Sequence, residues 1–452
     1  MAHQAEANHM SPTPSTGGDE PAGKTSMARV ATASLIGTVI EFYDLHIFGT
    51  AAALVFPHVF FPNLGAAAGI MMSFATLGVA FAARPLGSII FGHFGDRLGR
   101  KKILAITMLM MGIGTFLIGV MPTAAQIGIL APLLIVALRI MQGLAAGGEW
   151  AGAVLLGAEN APPGKRGLWA VFPIVGGGIA IALANLTFLG TALLMSDEAF
   201  MNWGWRVPFL ASIGLVVIGM WVRLKLEETP VFKGEVERHG TAKVPLVEAF
   251  RKQPRQLLFA AMVAMATAYV LPYIAGPYMT NYGSNTLQFD RTFILCVATV
   301  GGLTVAGGSL LGAMVSDTVG RRRVIMTAIG IGVVWSLVLF PLVDSGSKVV
   351  FAIAIPLTMF IGGVSAGPLG AFLSELFDTR YRYTAAGFTY SVGGILGGAL
   401  PPLVAAAITS AFGGWVFGLL LAGLCLIGAL SAYALKETVS GSLEEVTVPS
   451  AK

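Results

Sequence analysis

Along most of this chain the apolar positions do not alternate with polar ones; they run on. No Asp, Glu, Lys or Arg interrupts Leu45–Ala83, Ile103–Leu138, Gly167–Ser196, Gln256–Phe289, Thr292–Ser316, Val324–Val343, Val349–Ser374 or Tyr383–Leu435. Each run holds the ~20 apolar residues that cross a bilayer as a helix, and the last holds two such lengths. A membrane β-barrel would alternate instead. Divided at their Pro and Gly turns, the runs predict twelve helices, starting near Val30, Gly65, Ile103, Ile127, Gly167, Trp205, Gln256, Thr292, Val324, Val349, Tyr383 and Trp415. The predicted fold class is an all-α polytopic membrane protein.

Composition agrees: 11% of residues are charged and 55% hydrophobic, with mean hydropathy +0.78. A soluble surface needs about a quarter charged. Of 28 Lys and Arg residues, Arg206, Arg291 and Lys348 fall in loops on one side and Arg84 and Arg139 within helices. All the others fall in the tails and in the loops on the opposite side. The positive-inside rule makes that side cytoplasmic, with both termini, so a multi-pass protein of the cytoplasmic (inner) membrane is expected. The net charge of +5 reflects this topology and gives no reason to expect a nucleic-acid partner. Cys296 and Cys425 lie in separate apolar runs and suggest neither disulfide nor metal, and no cofactor is expected.

Two halves are visible. GHFGDRLGRKK (Gly92–Lys102) and SDTVGRRR (Ser316–Arg323) share an Asp-x-x-Gly-Arg core, and Asp96 and Asp317 stand about half the chain apart. Glu159 with Arg166 repeats at nearly the same interval as Glu375 with Arg382. The plan is a disordered tail (1–27), a six-helix bundle (28–226), a basic linker (227–255), a second six-helix bundle (256–436) and a short tail (437–452). Such 6+6 repeats place a binding site near the midplane, reached alternately from each side as the halves rock.

The doubled loop motif looks like the signature of the major facilitator superfamily, and Arg139-Ile-Met-Gln142-Gly143 resembles its fourth-helix motif. Within it, GTVIEFYDLHIFG, RPLGSIIFGHFGDRLGRKK, MQGLAAGGEWAGA and SELFDTRYRYTAAGFTYSVGG are similar to the metabolite:proton symporter family. The second loop copy departs by carrying Thr318 where the first has Arg97. The resemblance implies that Asp96, Arg97, Arg100, Glu159, Arg166, Asp317, Arg321, Glu375 and Arg382 form a gating latch that shuts the cytoplasmic side.

Ionisable residues in mid-span are costly, ~2.5–3.5 kcal/mol each on insertion scales. They are Glu41, Asp44, Arg84, Arg139 and Glu149, all in the first half. Glu41 and Asp44 point about 60° apart on one helix face, with His46 on another. A poorly solvated carboxylate holds its proton more tightly, a second one nearby tightens the hold, and a guanidinium loosens it. Glu41 and Asp44 are therefore the candidate proton-coupling pair, with a static ion pair to Arg84 or Arg139 as the alternative. The family resemblance adds Arg139 to the coupling set. Arg84 and Arg139 can hold an anion through a planar fork. Gln142, Glu149, Asn185, Tyr273 and Tyr390 complete the candidate substrate set, and packing is the alternative for each.

No nucleophile–base or metal cluster points to an enzyme. The expected function is import of a small organic acid, a mono- or dicarboxylate, by proton symport through alternating access. Its partners would be that anion, the proton and the lipid bilayer, and the working unit a monomer. A proton-coupled symporter of zwitterions of the proline or betaine type is the alternative. A drug or metabolite exporter and a non-transporting sensor rank below.

Overall fold

In the computed structural model, residues 27–98, 100–224, 245–379 and 381–439 are described, and every regular element among them is helical. Twelve long rods follow in order: α1 (Met27–Leu54), α2 (Ala66–Leu98), α3 (Arg100–Val120), α4 (Leu130–Asn160), α5 (Phe172–Leu194), α6 (Val207–Leu224), α7 (Pro254–Asn285), α8 (Arg291–Val319), α9 (Arg321–Val343), α10 (Lys348–Leu376), α11 (Arg382–Phe412) and α12 (Gly414–Ala434). By length and composition, 10 of the described helices can cross a membrane. Each rod begins within a few residues of its predicted start. The widest difference is at α5, where a separate short helix, Arg166–Ala170, takes up the first turn.

Within the first half α1 packs on α5 and α6, α2 on α4, and α3 on α4 and α6. In the second, α8 packs on α10, α9 on α10 and α12, and α7 on α11 and α12. The halves meet chiefly along α5 with α8 and α2 with α11. Small residues make that seam possible. A side chain on Gly178 of α5 would run into the Gly302 carbonyl of α8, and one on Gly302 into Gly178, so the backbones touch. Large apolar side chains such as Leu133, Trp221, Val334, Ile353 and Leu430 point outward, as lipid-facing positions do.

Three rods are irregular near the centre. α4 breaks at Gly147–Gly148 and resumes at Glu149. α7 and α11 contain π-helical turns at Met265–Val270, Ile274–Tyr278 and Gly394–Ala399. Such turns bulge the helix and frequently mark functional sites.

Both ends of the seam are closed. At the end carrying the basic loops, the Tyr383 hydroxyl donates to the Gly148 carbonyl. Beside it, Asp317 accepts from the Gly167 and Leu168 amides across the halves, at 2.8 and 3.0 Å. At the opposite end Asn281 donates to the Ala53 carbonyl (2.9 Å) and Arg291 pairs with Asp197. The conformation is occluded.

Candidate functional site

The stretch GTVIEFYDLHIFG lies in mid-α1, and its two carboxylates are buried, Glu41 at 6% exposure and Asp44 at 2%. Both line a small cavity inside the first half with Ile40, Met108, Met111, Glu149 and Val216. At about 10 Å³ it has room for roughly one water. Asp44 sits beside Thr115 and Arg139. The Arg139 Nη1 donates to Gln142 Oε1 (2.9 Å), Gln142 Nε2 to Thr115 Oγ1 (2.8 Å), and Thr115 to the Met111 carbonyl (3.0 Å). A hydroxyl has one hydrogen. While Thr115 spends it on Met111, neither Asp44 oxygen has a hydrogen-bond partner. Rotating Thr115 would satisfy an ionised Asp44, whereas a protonated Asp44 can itself donate to the Thr115 oxygen. Arg139 is held over the Phe48 ring at 3.9 Å, with Nε and Nη2 unpartnered.

The helical wheel separates His46 from the carboxylates, and it does lie on another face. That face, however, is the one toward the second half: His46 lines a chamber with Thr50, Asn185, Tyr273, Thr280 and Met359. Glu41 and Asp44 thus face a cavity inside the first half, while the side of α1 that meets the second half carries His46. A wheel gives the angle between side chains but not the neighbour each face meets, and α1 has neighbours on both sides. Asn185 donates to the Ile181 carbonyl within α5 (2.8 Å) and accepts from Thr50 (3.3 Å).

Arg84 occupies the seam between the halves. Its guanidinium lies 4.6 Å above the Phe81 ring and within electrostatic reach of Tyr269, Tyr273, Glu41 and Tyr390. It gets there because α2 and α4 touch backbone to backbone: a side chain on Gly147 would strike the Arg84 carbonyl. Around it the rings interlock, Phe81 with Tyr273 at 5.2 Å and Tyr269 with Tyr390 at 5.0 Å. The hydroxyls of this last pair approach each other, yet Tyr269 does not meet Tyr390 in hydrogen-bond geometry. The Arg84 Nε, the Tyr273 hydroxyl and the Trp150 indole nitrogen are buried without a partner.

Trp150, Thr115, Phe81 and Tyr269 thus join the residues chosen from sequence. Trp150 had a readable signal, since tryptophan in a span usually sits at the membrane interface and this one is central. Thr115 is one of few polar residues in α3, which is a weaker mark.

At the basic-loop end, Arg321 is buried (1%) and anchors the latch. Its guanidinium meets Asp317 at 2.6 Å and Glu375 at 3.5 Å, and Arg166 of the first half reaches Glu375 at 3.9 Å. Two residues assigned to the tail join in: Glu437 accepts from the Arg321 amide (2.9 Å), and Thr438 donates to Glu375 (2.7 Å). Arg382 donates to the Phe377 carbonyl in its own loop (3.1 Å), and Glu159 is exposed at the end of α4. The side chains of Asp96, Arg97 and Arg100 lie outside the described residues.

A two-half helical bundle with buried charges at its seam and ion pairs across one mouth defines a secondary transporter. Residues 34–402 match the Major Facilitator Superfamily profile, and the chain belongs to that superfamily. It is 42% identical over 427 residues to the inner membrane metabolite transport protein YhjE of Escherichia coli, covering 92% of this chain and 96% of that one. It is 39% identical to the shikimate transporter of Escherichia coli (91% and 94% covered) and 31% identical to the proline/betaine transporter of Salmonella typhimurium (93% and 86%). Its fold superposes on the proton:xylose symporter XylE with a TM-score of 0.73 at 16% identity, covering 93% of this chain and 98% of that one. The protein is a multi-pass membrane transporter and not an enzyme.

Proposed function

We propose that the chain imports a small organic acid together with protons, across the cytoplasmic membrane with both termini cytoplasmic. The observation that carries this reading is a buried guanidinium at the seam, Arg84, with a buried carboxylate, Glu41, within its electrostatic reach. A substrate carboxylate would compete with Glu41 for Arg84. As the anion takes the guanidinium, Glu41 loses its compensation and takes up a proton, which links the two cargoes. Asp44, one helical turn away beside Arg139, relays that proton, so coupling needs both carboxylates, and Thr115 and Gln142 tie the pair to the motion of α3 and α4. Tyr273, Tyr390 and Asn185 orient the body of the substrate. The latch around Arg321, Asp317, Glu375 and Arg166 closes the cytoplasmic mouth and breaks when the carrier opens inward.

A zwitterion symporter is the second reading, favoured by the rings of Phe81, Tyr269, Tyr273 and Tyr390, which could hold a quaternary ammonium. Arg84 in their midst opposes it, because a cationic headgroup would meet a like charge. Uptake into proteoliposomes separates the readings. Carboxylates should accumulate under an inward proton gradient, and betaine should not. Carboxylate uptake that is unchanged when the gradient is collapsed would defeat the symport reading.

A further inference from the structure

From the rings at the seam we infer that Trp150 and Tyr390 form a parting slot that selects a flat, ring-bearing carboxylate over a flexible chain. This rests on the organic-acid reading and specifies its substrate class. Trp150 belongs to α4 in the first half and Tyr390 to α11 in the second, so their contact spans the seam. Their rings lie face to face with centroids 3.6 Å apart and planes 1° from parallel, both buried (4% and 6%). Aromatic pairs prefer offset or edge-to-face arrangements over an eclipsed sandwich. Of the other tyrosine and phenylalanine pairs here, Phe81 meets Tyr269 at 88° and Tyr273 at 77°, edge to face, while Tyr269 lies tilted against Tyr273 and Tyr390 with centroids 5.6 and 5.0 Å away. The Trp150–Tyr390 stack is thus a pair of parallel flat walls, one from each half.

What surrounds the slot states what enters it. Among the described residues, buried polar atoms without partners at the seam include the Arg84 Nε–H, the Trp150 indole N–H and the hydroxyls of Tyr269 and Tyr273. Each can donate a hydrogen bond, and the two nitrogens can only donate. A ligand that satisfies them is rich in acceptors and carries negative charge toward Arg84. A planar body between the two rings converts one disfavoured sandwich into two stacking contacts. A linear acid separates the rings without covering them. Because the walls come from opposite halves, inserting the body also parts α4 from α11, which couples recognition to the movement of the halves.

The test uses the purified full-length protein in lipid nanodiscs, with benzoate, cyclohex-1-enecarboxylate and hexanoate as probes, followed by thermal shift and competition. The wild type should prefer the two flat probes to hexanoate by about tenfold, the scale of a ring-stacking contact. Trp150→Ala should abolish that preference, while Trp150→Phe, which keeps a flat wall, should retain it. A wild type that binds hexanoate as well as benzoate overturns the slot but leaves the organic-acid reading standing. So does a Trp150→Ala protein with an intact preference. If Trp150→Ala fails to fold, loss of the preference in a folded Trp150→Phe overturns the slot, and its retention there together with loss in Tyr390→Ala supports it. Carboxylates that neither bind nor accumulate under a proton gradient remove the underlying reading itself.

Discussion

The two halves share one fold and differ in what they bury. Among the described residues, the acidic and basic side chains buried in mid-span, Glu41, Asp44, Arg84, Arg139 and Glu149, belong to the first half. The second buries phenols there (Tyr269, Tyr273, Tyr390) and keeps its buried charges, Arg321, Glu375 and Arg382, at the helix ends. The backbones differ in the same sense. The described π-helical turns fall in α7 and α11, beside the phenols. On the proposed reading the halves divide labour: the first handles charge and the second supplies shape and hydrogen bonds. Charge needs fixed partners, and Thr115 of α3 and Gln142 of α4 supply them on regular helical turns. Shape needs adjustable walls, and π turns provide slack.

The largest effect should come from Asp44→Asn. If the first half alone handles the proton, accumulation driven by a proton gradient falls to the level of the collapsed-gradient control, while substrate exchange across the membrane persists. Arg84→Ala should come next, weakening anion affinity roughly 10- to 100-fold, the worth of a charged hydrogen bond. Equilibrium binding of radiolabelled substrate checks this. On the other half, Tyr273→Phe should cost about tenfold or less in affinity, as one neutral hydrogen bond does, and leave proton coupling intact. A Tyr273→Phe protein that loses coupling but not affinity would break the division between halves. The smallest effect belongs to the gate. Asp317→Ala removes one of the two carboxylates on Arg321 and the acceptor for the Gly167 and Leu168 amides; at those amides the loss is about 1 kcal/mol, as for a helix cap, and should speed hydrogen exchange about fivefold. Mass-spectrometric exchange across Arg166–Ala170 reads it.

The rods and their number were legible because lipid imposes long charge-free runs. The cavity assignments were less legible. Asp44 and His46 fall on different faces by helix geometry alone, but which face meets the other half depends on α3, α5 and α7, which a single wheel cannot contain. The same limit applies at the latch. Asp317 was chosen for its repeat and its charge, yet its cross-half partners are the amides of Gly167 and Leu168, and backbone groups leave no trace in composition. Glu437 and Thr438 were assigned to a tail because they follow the last apolar run. Their hydrogen bonds to the Arg321 amide and to Glu375 are made through the tertiary fold.

The division of labour is tested most directly by proton movement in proteoliposomes with a trapped pH-sensitive dye, started by adding the transported carboxylate without any imposed gradient. The wild-type protein should carry protons inward with the substrate and acidify the lumen, and Tyr273→Phe should do so at the same proton-to-substrate ratio. Asp44→Asn should bind and exchange substrate with no proton signal. Substrate-driven acidification by Asp44→Asn at the wild-type ratio would contradict the account.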